Sequence, residues 1–232
     1  MSTSDNSIAV VTMYNEAYKL LAEITVLNNI KQYAEYHNYK FICKDSDFPT
    51  NYIIYFEKSK LILDAFENSN IKWAWWIDVD ALVTNFNIKL EQIIDDDYDI
   101  IISTDGAGIN CGSFSVKNSE RGKAWLDMIY ANRFVYRYTS NKWPEQLVMH
   151  DTARNYTDIM KIVTQKTFNS YYYQVYKGVV NNVIETDRLE NSGLWAPGDF
   201  VIHMPGLPNN LRIQYLKMFN ELSVLRPNES DS

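Results

Sequence analysis

Two stretches of this chain are apolar or β-branched without alternation: Ile8 to Met13 (I-A-V-V-T-M) and Trp73 to Ile77 (W-A-W-W-I). A strand with one face in water alternates polar and apolar residues. Unbroken runs mark strands covered on both faces, as in the parallel sheet of an α/β protein. The second run leads straight into Asp78-Val79-Asp80. Two carboxylates at the end of a buried strand repel each other and lose hydration, so the fold must supply something that offsets both.

The segments between these runs carry the other half of the alternation. Glu16 to Tyr36 has Leu20, Ile24, Leu27 and Ile30 at helical spacing. Tyr39 to Cys43 reads as a second strand, Phe56 to Phe66 as a helix, Asp99 to Ser103 as a fourth strand and Ser113 to Val116 as a fifth. Ser119 to Asn132 reads as the helix that follows. This order predicts a Rossmann-like α/β/α sandwich with a mostly parallel central sheet. No internal repeat or low-complexity linker divides the 232 residues, so a single domain over 1–225 is expected, with the polar residues 226–232 as a tail. In open sheets of this class ligands bind beyond the carboxyl ends of the strands. Tyr14, Asp45, Asp78 and Asp80 each follow a strand and are expected on one rim.

Charge and cysteine usage narrow the partners. The formal charge is -7 and no basic run exists, which argues against nucleic acid and anionic membrane surfaces. Cys43 and Cys111 form neither a disulfide framework nor a zinc spacing. No apolar segment is long enough to span a bilayer, and the polar N-terminal residues lack the apolar core of a signal peptide. The expectation is a cytoplasmic protein, in the host cytoplasm if the source is viral.

Carboxylates at i and i+2 just past a strand are well placed to share a hard divalent cation. Mn²⁺ and Mg²⁺ favour oxygen ligands, and the ion removes the repulsion between the acids. His203 lies in D-F-V-I-H-M-P-G, a strand-like run closed by a Pro-Gly turn. A neutral imidazole at such a strand end suits Mn²⁺. His37 and His150 lack that context and read as structural. Asp95-Asp96-Asp97 reads as a solvated turn.

The block K-S-K-L-I-L-D-A-F followed by K-W-A-W-W-I-D-V-D-A-L-V-T-N resembles the core of glycosyltransferase family 34, which includes fungal galactosyl and mannosyl transferases and plant xylosyltransferases. G-I-N-C-G-S-F-S-V-K-N, W-P-E-Q and D-F-V-I-H-M-P-G resemble three further segments of that family, in the family's order. The resemblance covers roughly residues 8 to 206. It implies a GT-A fold, a nucleotide-sugar donor such as a UDP-sugar, a glycan or other hydroxyl acceptor, a divalent metal and retention of anomeric configuration.

Carried onto this chain, the resemblance makes Asp78, Asp80 and His203 the metal set. It places Lys60 near the nucleotide, and Asn110, Gly112 and Gly206 around the donor. Glu145 and Gln146 would lie beside the reacting sugar. Thr12 and Tyr14, at the end of the first strand, would meet the nucleobase, where Tyr14 can stack. Two departures stand out. Cys111 replaces the family's usual Ala, and L-P-N-N-L-R replaces its usual Cys and Lys, so that Arg212 is the candidate cation at the diphosphate.

Each motif also has a plainer physical reading. Gly108 to Gly112 either lets a ligand approach the backbone or is a simple turn between strands. Asp105-Gly106 is a common turn pair, and Asp105 can also reach a donor sugar. Glu145 and Gln146 either serve a retaining transfer, by covalent attack of the carboxylate or by an amide that holds the charge of an oxocarbenium-like carbon, or cap a helix behind Trp143-Pro144. Two rival functions share the Asp-x-Asp pattern. One is a haloacid-dehalogenase-type phosphatase, whose nucleophilic Asp usually lies nearer the start of its domain. The other is a protein that binds a sugar nucleotide without turning it over.

Overall fold

The computed structural model of the chain describes residues 7–49, 52–136, 143–172 and 193–223. The expected tail at 226–232 lies outside them. A six-stranded sheet runs β2-β1-β3-β6-β5-β7. Its strands are β1 (Ile8–Met13), β2 (Lys40–Lys44), β3 (Trp73–Ile77), β5 (Ile100–Asp105), β6 (Gly108–Lys117) and β7 (Met160–Val163). β1 pairs parallel with β2 and β3, and β5 with β7, while β6 runs antiparallel to both of its neighbours. A second sheet has the order β4-β9-β8, from β4 (Ala81–Val83), β9 (Val201–His203) and β8 (Ser170–Tyr171).

Strand alternation sends neighbouring side chains of the unbroken runs into two different cores. Ala9, Val11, Ala74 and Trp76 face one side, against α3 (Glu57–Ala65), α4 (Glu120–Ala131) and α6 (Pro144–Thr152). Ile8, Val10, Trp73, Trp75 and Ile77 face the other, with Val26, Ile30 and Tyr33. A third cluster packs β4 and β9 onto α8 (Asn209–Leu222) through Leu82, Ile202, Leu216 and Phe219. Between these elements lie the short helices α5 (Arg133–Tyr136) and α7 (Gln165–Phe168). Among the described residues no helix is long and apolar enough to cross a membrane.

The long helical segment after β1 departs from the expectation. It begins as a 3-10 turn (Glu16–Tyr18), continues as α1 (Lys19–Ala22), passes through a π-helical stretch (Glu23–Ile30) and ends as α2 (Lys31–Tyr36). Leu20 and Leu27 are exposed, at 70% and 44%. The buried positions are instead Leu21, Ala22, Thr25, Val26, Asn29, Ile30, Tyr33 and Ala34. Their spacing of four residues is wider than an α-turn, and underwinding keeps them on one face. Two polar members of that face tie down the next chain segment. Asn29 exchanges hydrogen bonds with the backbone of Val83, at 2.8 and 2.9 Å. The Thr25 hydroxyl donates to the carbonyl of Val79, between the two aspartates, at 2.7 Å.

The fifth strand also differs from the expectation. It starts at Gly108, five residues earlier than the Ser113 expected from the apolar pattern, so Gly108 to Gly112 is strand. The turn lies just before it, where Asp105 pairs with Gly108 across Gly106 and Ala107. Gly108 sits at φ +110, which a side chain rarely tolerates.

Candidate functional site

β3 delivers Asp78 to the carboxyl edge of the sheet. Its backbone N–H bonds the carbonyl of Gly112 on β6 at 2.7 Å, which locks the two strand ends together. Asp78 Oδ1 accepts from the Trp76 indole at 2.7 Å and lies 3.3 Å from the Lys58 ammonium. Asp80 begins the excursion into β4. One of its oxygens is 3.2 Å from His203 Nε2, and the other accepts from Arg212 at 2.7 Å. Burial on its own would raise the Asp80 carboxyl. His203 and Arg212 outweigh it and hold Asp80 below the ordinary carboxylate range.

His203 arrives from 123 residues away in the chain. The antiparallel pair β4–β9 sets Ala81 against His203, which brings the imidazole over the aspartates. Gly112 makes room for the ring, since a Cβ there would come within 2.2 Å of its Cε1. One ligand atom each from Asp78, Asp80 and His203 lie within 4.8 Å of one another. Two carboxylates and one imidazole form a donor set that fits Mn²⁺ or Mg²⁺.

Behind the aspartates is a buried cluster of mixed charge. The Lys58 ammonium lies 3.4 Å from Glu145 Oε1 and 3.2 Å from the carbonyl of Cys111, in addition to Asp78. Burial would lower Lys58, but the negative charge around it raises it and keeps it protonated. Two carboxylates share this one cation. Burial pushes Glu145 up, against the pull of Lys58. Among the described residues Glu145 Oε2 is buried with no hydrogen-bond partner. Pro144 occupies the first turn of α6, where its missing N–H costs nothing. That turn points Glu145 and Gln146 at the site.

Two cavities meet here. One, of 240 Å³, is lined by Tyr14, Tyr18, Phe48, Tyr55 and Lys58 among others. The second, of 520 Å³, is lined by Asp105, Asn110, Gln146, Tyr171, His203 and Gly206 among others. Asp78, Asp80, Trp143, Glu145 and Arg212 border both. The larger cavity contains a polar network. Asn110 donates to Asp105 at 2.8 Å and to the Tyr171 hydroxyl at 3.0 Å, while its oxygen accepts from Gly112 N–H at 2.8 Å.

Of the residues singled out in the sequence, Tyr14, Asp78, Asp80, Asn110, Gly112, Glu145, Gln146, His203, Gly206 and Arg212 all line one cavity or both. Thr12 is buried in β1 beneath them, and its hydroxyl has no partner among the described residues. Arg212 is bound to Asp80, to the carbonyl of Met204 at 3.0 Å and to Asn209 at 3.1 Å. Lys60 requires a correction. It sits on the solvent side of α3, paired with Asp64, and Lys58 is the lysine that enters the site. The helical period contained that signal, because Lys58, Ile62 and Ala65 share the buried face of α3. Asn169 and Tyr171 were also missed. They sit at and beside a strand of only two residues, too short to leave a pattern.

A model of the galactosyl transferase GMA12/MNN10 family matches residues 4–97 and 92–210 of the chain. An alpha-1,2-galactosyltransferase of Schizosaccharomyces pombe is 27% identical over 254 residues, covering 87% of this chain and 62% of that protein. A probable alpha-1,6-mannosyltransferase MNN10 of Saccharomyces cerevisiae is 29% identical over 136 residues, covering 44% of this chain and 35% of that protein. The chain therefore spans less than two thirds of the length of these curated relatives. Among solved structures, a glycosyltransferase involved in the glycosylation of the major capsid of PBCV-1 superposes with a TM-score of 0.71 at 17% identity, covering 91% of this chain and 98% of that one. Galactosyltransferase LgtC in complex with donor and acceptor sugar analogs gives 0.55 at 13% identity, covering 95% and 98%. At such identities the likeness concerns the fold, which is GT-A.

Proposed function

Because the chain belongs to the galactosyl transferase GMA12/MNN10 family, we propose that it moves a sugar from a UDP-hexose or UDP-pentose to a hydroxyl group of a glycan, with a divalent ion and with retention of anomeric configuration. The observation that carries this reading is the meeting of three distant segments, Asp78-Val79-Asp80, Glu145-Gln146 and His203, where the two cavities join.

The smaller cavity suits the nucleotide. Tyr14, Tyr18 and Tyr55 offer aromatic faces to a base, and Arg212 brings a cation to the border where a diphosphate would lie. Asp78, Asp80 and His203 would hold Mn²⁺ or Mg²⁺. When bound, the ion would neutralise the diphosphate as it leaves.

The larger cavity suits the sugars. Asp105 and Asn110 present polar atoms for donor hydroxyls, and Trp143 stands 48% exposed at the lip, where an indole face can stack on an acceptor ring. In a retaining transfer the bond from the anomeric carbon to the diphosphate oxygen breaks, and its electron pair leaves with the diphosphate. The acceptor oxygen bonds the same face of the carbon and gives its proton to the departing group. Glu145 and Gln146 are the groups we assign beneath that carbon. Their oxygens stabilise its positive charge as the bond stretches.

A panel of UDP-glucose, UDP-galactose, UDP-xylose and a GDP-sugar, assayed for nucleoside diphosphate release with and without Mn²⁺, tests the reading. One UDP-sugar should turn over faster than the rest, only with metal, and NMR of the product from an α-linked donor should show an α-glycoside. A β-glycoside would sink the retaining mechanism. Tight UDP binding without turnover of any donor would leave a sugar-nucleotide-binding protein.

A further inference from the structure

The side chain of His203 is held on the side away from Asp80 by Asn169, a fully buried residue between α7 and β8 that no sequence motif marks. The Asn169 Oδ1 bonds His203 Nδ1. The backbone of Asn169 is separately satisfied: its N–H donates to the Gln165 carbonyl at 2.8 Å, and its carbonyl accepts from the Gln165 side chain at 3.0 Å. Its carboxamide is therefore committed to what lies at its two ends, His203 and the Tyr171 hydroxyl, the latter 3.5 Å from Nδ2.

The oxygen and nitrogen of a carboxamide are alike in size, so its direction must come from its partners. Tyr171 supplies it. A phenol has one proton, and Tyr171 gives it to Asp105 Oδ2 at 2.5 Å, because a carboxylate only accepts. Toward Asn110 and Asn169 the phenol oxygen is then only an acceptor. Asn110 meets that need with its NH₂ group, its own direction set by the Gly112 N–H on its oxygen. Asn169 must likewise turn its NH₂ group to Tyr171 and its oxygen to His203. A carbonyl oxygen cannot donate, so the proton of this hydrogen bond belongs to Nδ1. With an ion bound between them the ring is neutral, and its lone pair is then on Nε2, the nitrogen that faces Asp80 at 3.2 Å.

We propose that the hydrogen-bond relay Asp105–Tyr171–Asn169–His203 fixes the imidazole as its Nδ1–H tautomer and presents Nε2 to the divalent ion, so that Asn169 and Tyr171 are positioning residues of the metal site. The proposal rests on the metal reading given above. It ties the polar network of the larger cavity to the ligand set through four side chains.

The test compares wild type with Asn169→Leu and Tyr171→Phe in metal alone, without donor. Mn²⁺ affinity is measured by calorimetry, and the nitrogen ligand by the ¹⁴N modulation of bound Mn²⁺ in pulsed EPR. Removing the partner of a ligating histidine weakens metal binding about 10–100-fold. Asn169→Leu should fall in that range and lose the nitrogen modulation. Tyr171→Phe, which removes a single oxygen and keeps the packing if Asn169→Leu fails to fold, should weaken binding several-fold. A merely structural role would lower the metal-free melting temperature and leave Mn²⁺ affinity and the nitrogen signal alone. Unchanged affinity and signal in a folded variant would overturn the relay only. A wild-type protein that binds no Mn²⁺, or binds it without a nitrogen signal, would remove the metal reading and the relay with it.

Discussion

Replacing Lys58 by Met would leave Asp78 and Glu145 facing a buried space with no cation between them. The side chains of Lys58 and Glu145 are each 3% exposed. Breaking such a pair from one side costs about 3–5 kcal/mol, because the remaining charge stays buried and uncompensated. Two residues further on, Lys60 pairs with Asp64 across one helical turn, with both side chains nearly half exposed. Solvent screening limits that pair to about 0.3–0.5 kcal/mol. Urea unfolding of Lys58→Met and Lys60→Met should show this contrast, and equal losses would contradict the placement of the two lysines. The quoted motif K-S-K contains both residues, and the choice between them is a matter of helical phase. Residue type and order located the motif. Only the packing of α3 against the sheet settled which lysine turns inward.

At the scale of elements, α4 is a helix that the sequence outlined well and one of whose residues it misjudges. Ser119 caps it by accepting from Gly122 N–H at 3.0 Å, and the expected span of Ser119 to Asn132 takes in both caps. Helix propensity alone says that Gly122→Ala should stabilise by about 1 kcal/mol. In the folded chain a Cβ on Gly122 would lie 2.3 Å from the carbonyl oxygen of Lys117 and 3.1 Å from Val116 Cγ1. The oxygen belongs to the backbone of β6 and cannot rotate away. Overpacking of this kind costs about 1–3 kcal/mol, so the variant should melt lower than wild type. A higher melting temperature would mean that the first turn of α4 shifts freely on the sheet. The π-helical stretch teaches the same lesson. Leu20 and Leu27 look inward on an ideal helix, but a buried face repeating every four residues is set by contact with β4.

For the whole molecule, the proposed metal ligands join the end of β3 to the end of β9, so an ion that bridges Asp78, Asp80 and His203 would draw on the native arrangement of both sheets. Binding to the folded state alone stabilises it by about 2.7 kcal/mol at a hundredfold excess over Kd. For a chain of this size that corresponds to a rise in Tm of about 5–10 °C. Mn²⁺ with UDP should produce such a shift in wild type by scanning calorimetry, and Mn²⁺ alone a smaller one. Asp78→Asn/Asp80→Asn, which keeps the shape of both side chains, should abolish the metal-dependent part. If the double variant gains as much as wild type, the ion does not sit on these carboxylates.

The chain's local pattern determined the sandwich and its mostly parallel sheet, because a strand buried on both faces must be written as an unbroken apolar run, and Ile8–Met13 and Trp73–Ile77 are written that way. It also determined that Asp78 and Asp80 meet at a strand end, since that depends on neighbours in sequence alone. The reversed direction of β6, the inward lysine, the four-residue period after β1 and the Asn169–His203 bond were decided by the tertiary structure. Each depends on a partner distant in sequence, such as Val83 for Asn29 or His203 for Asn169. A short polar segment carries no periodicity of its own, and its role exists only once the sheets have brought that partner to it.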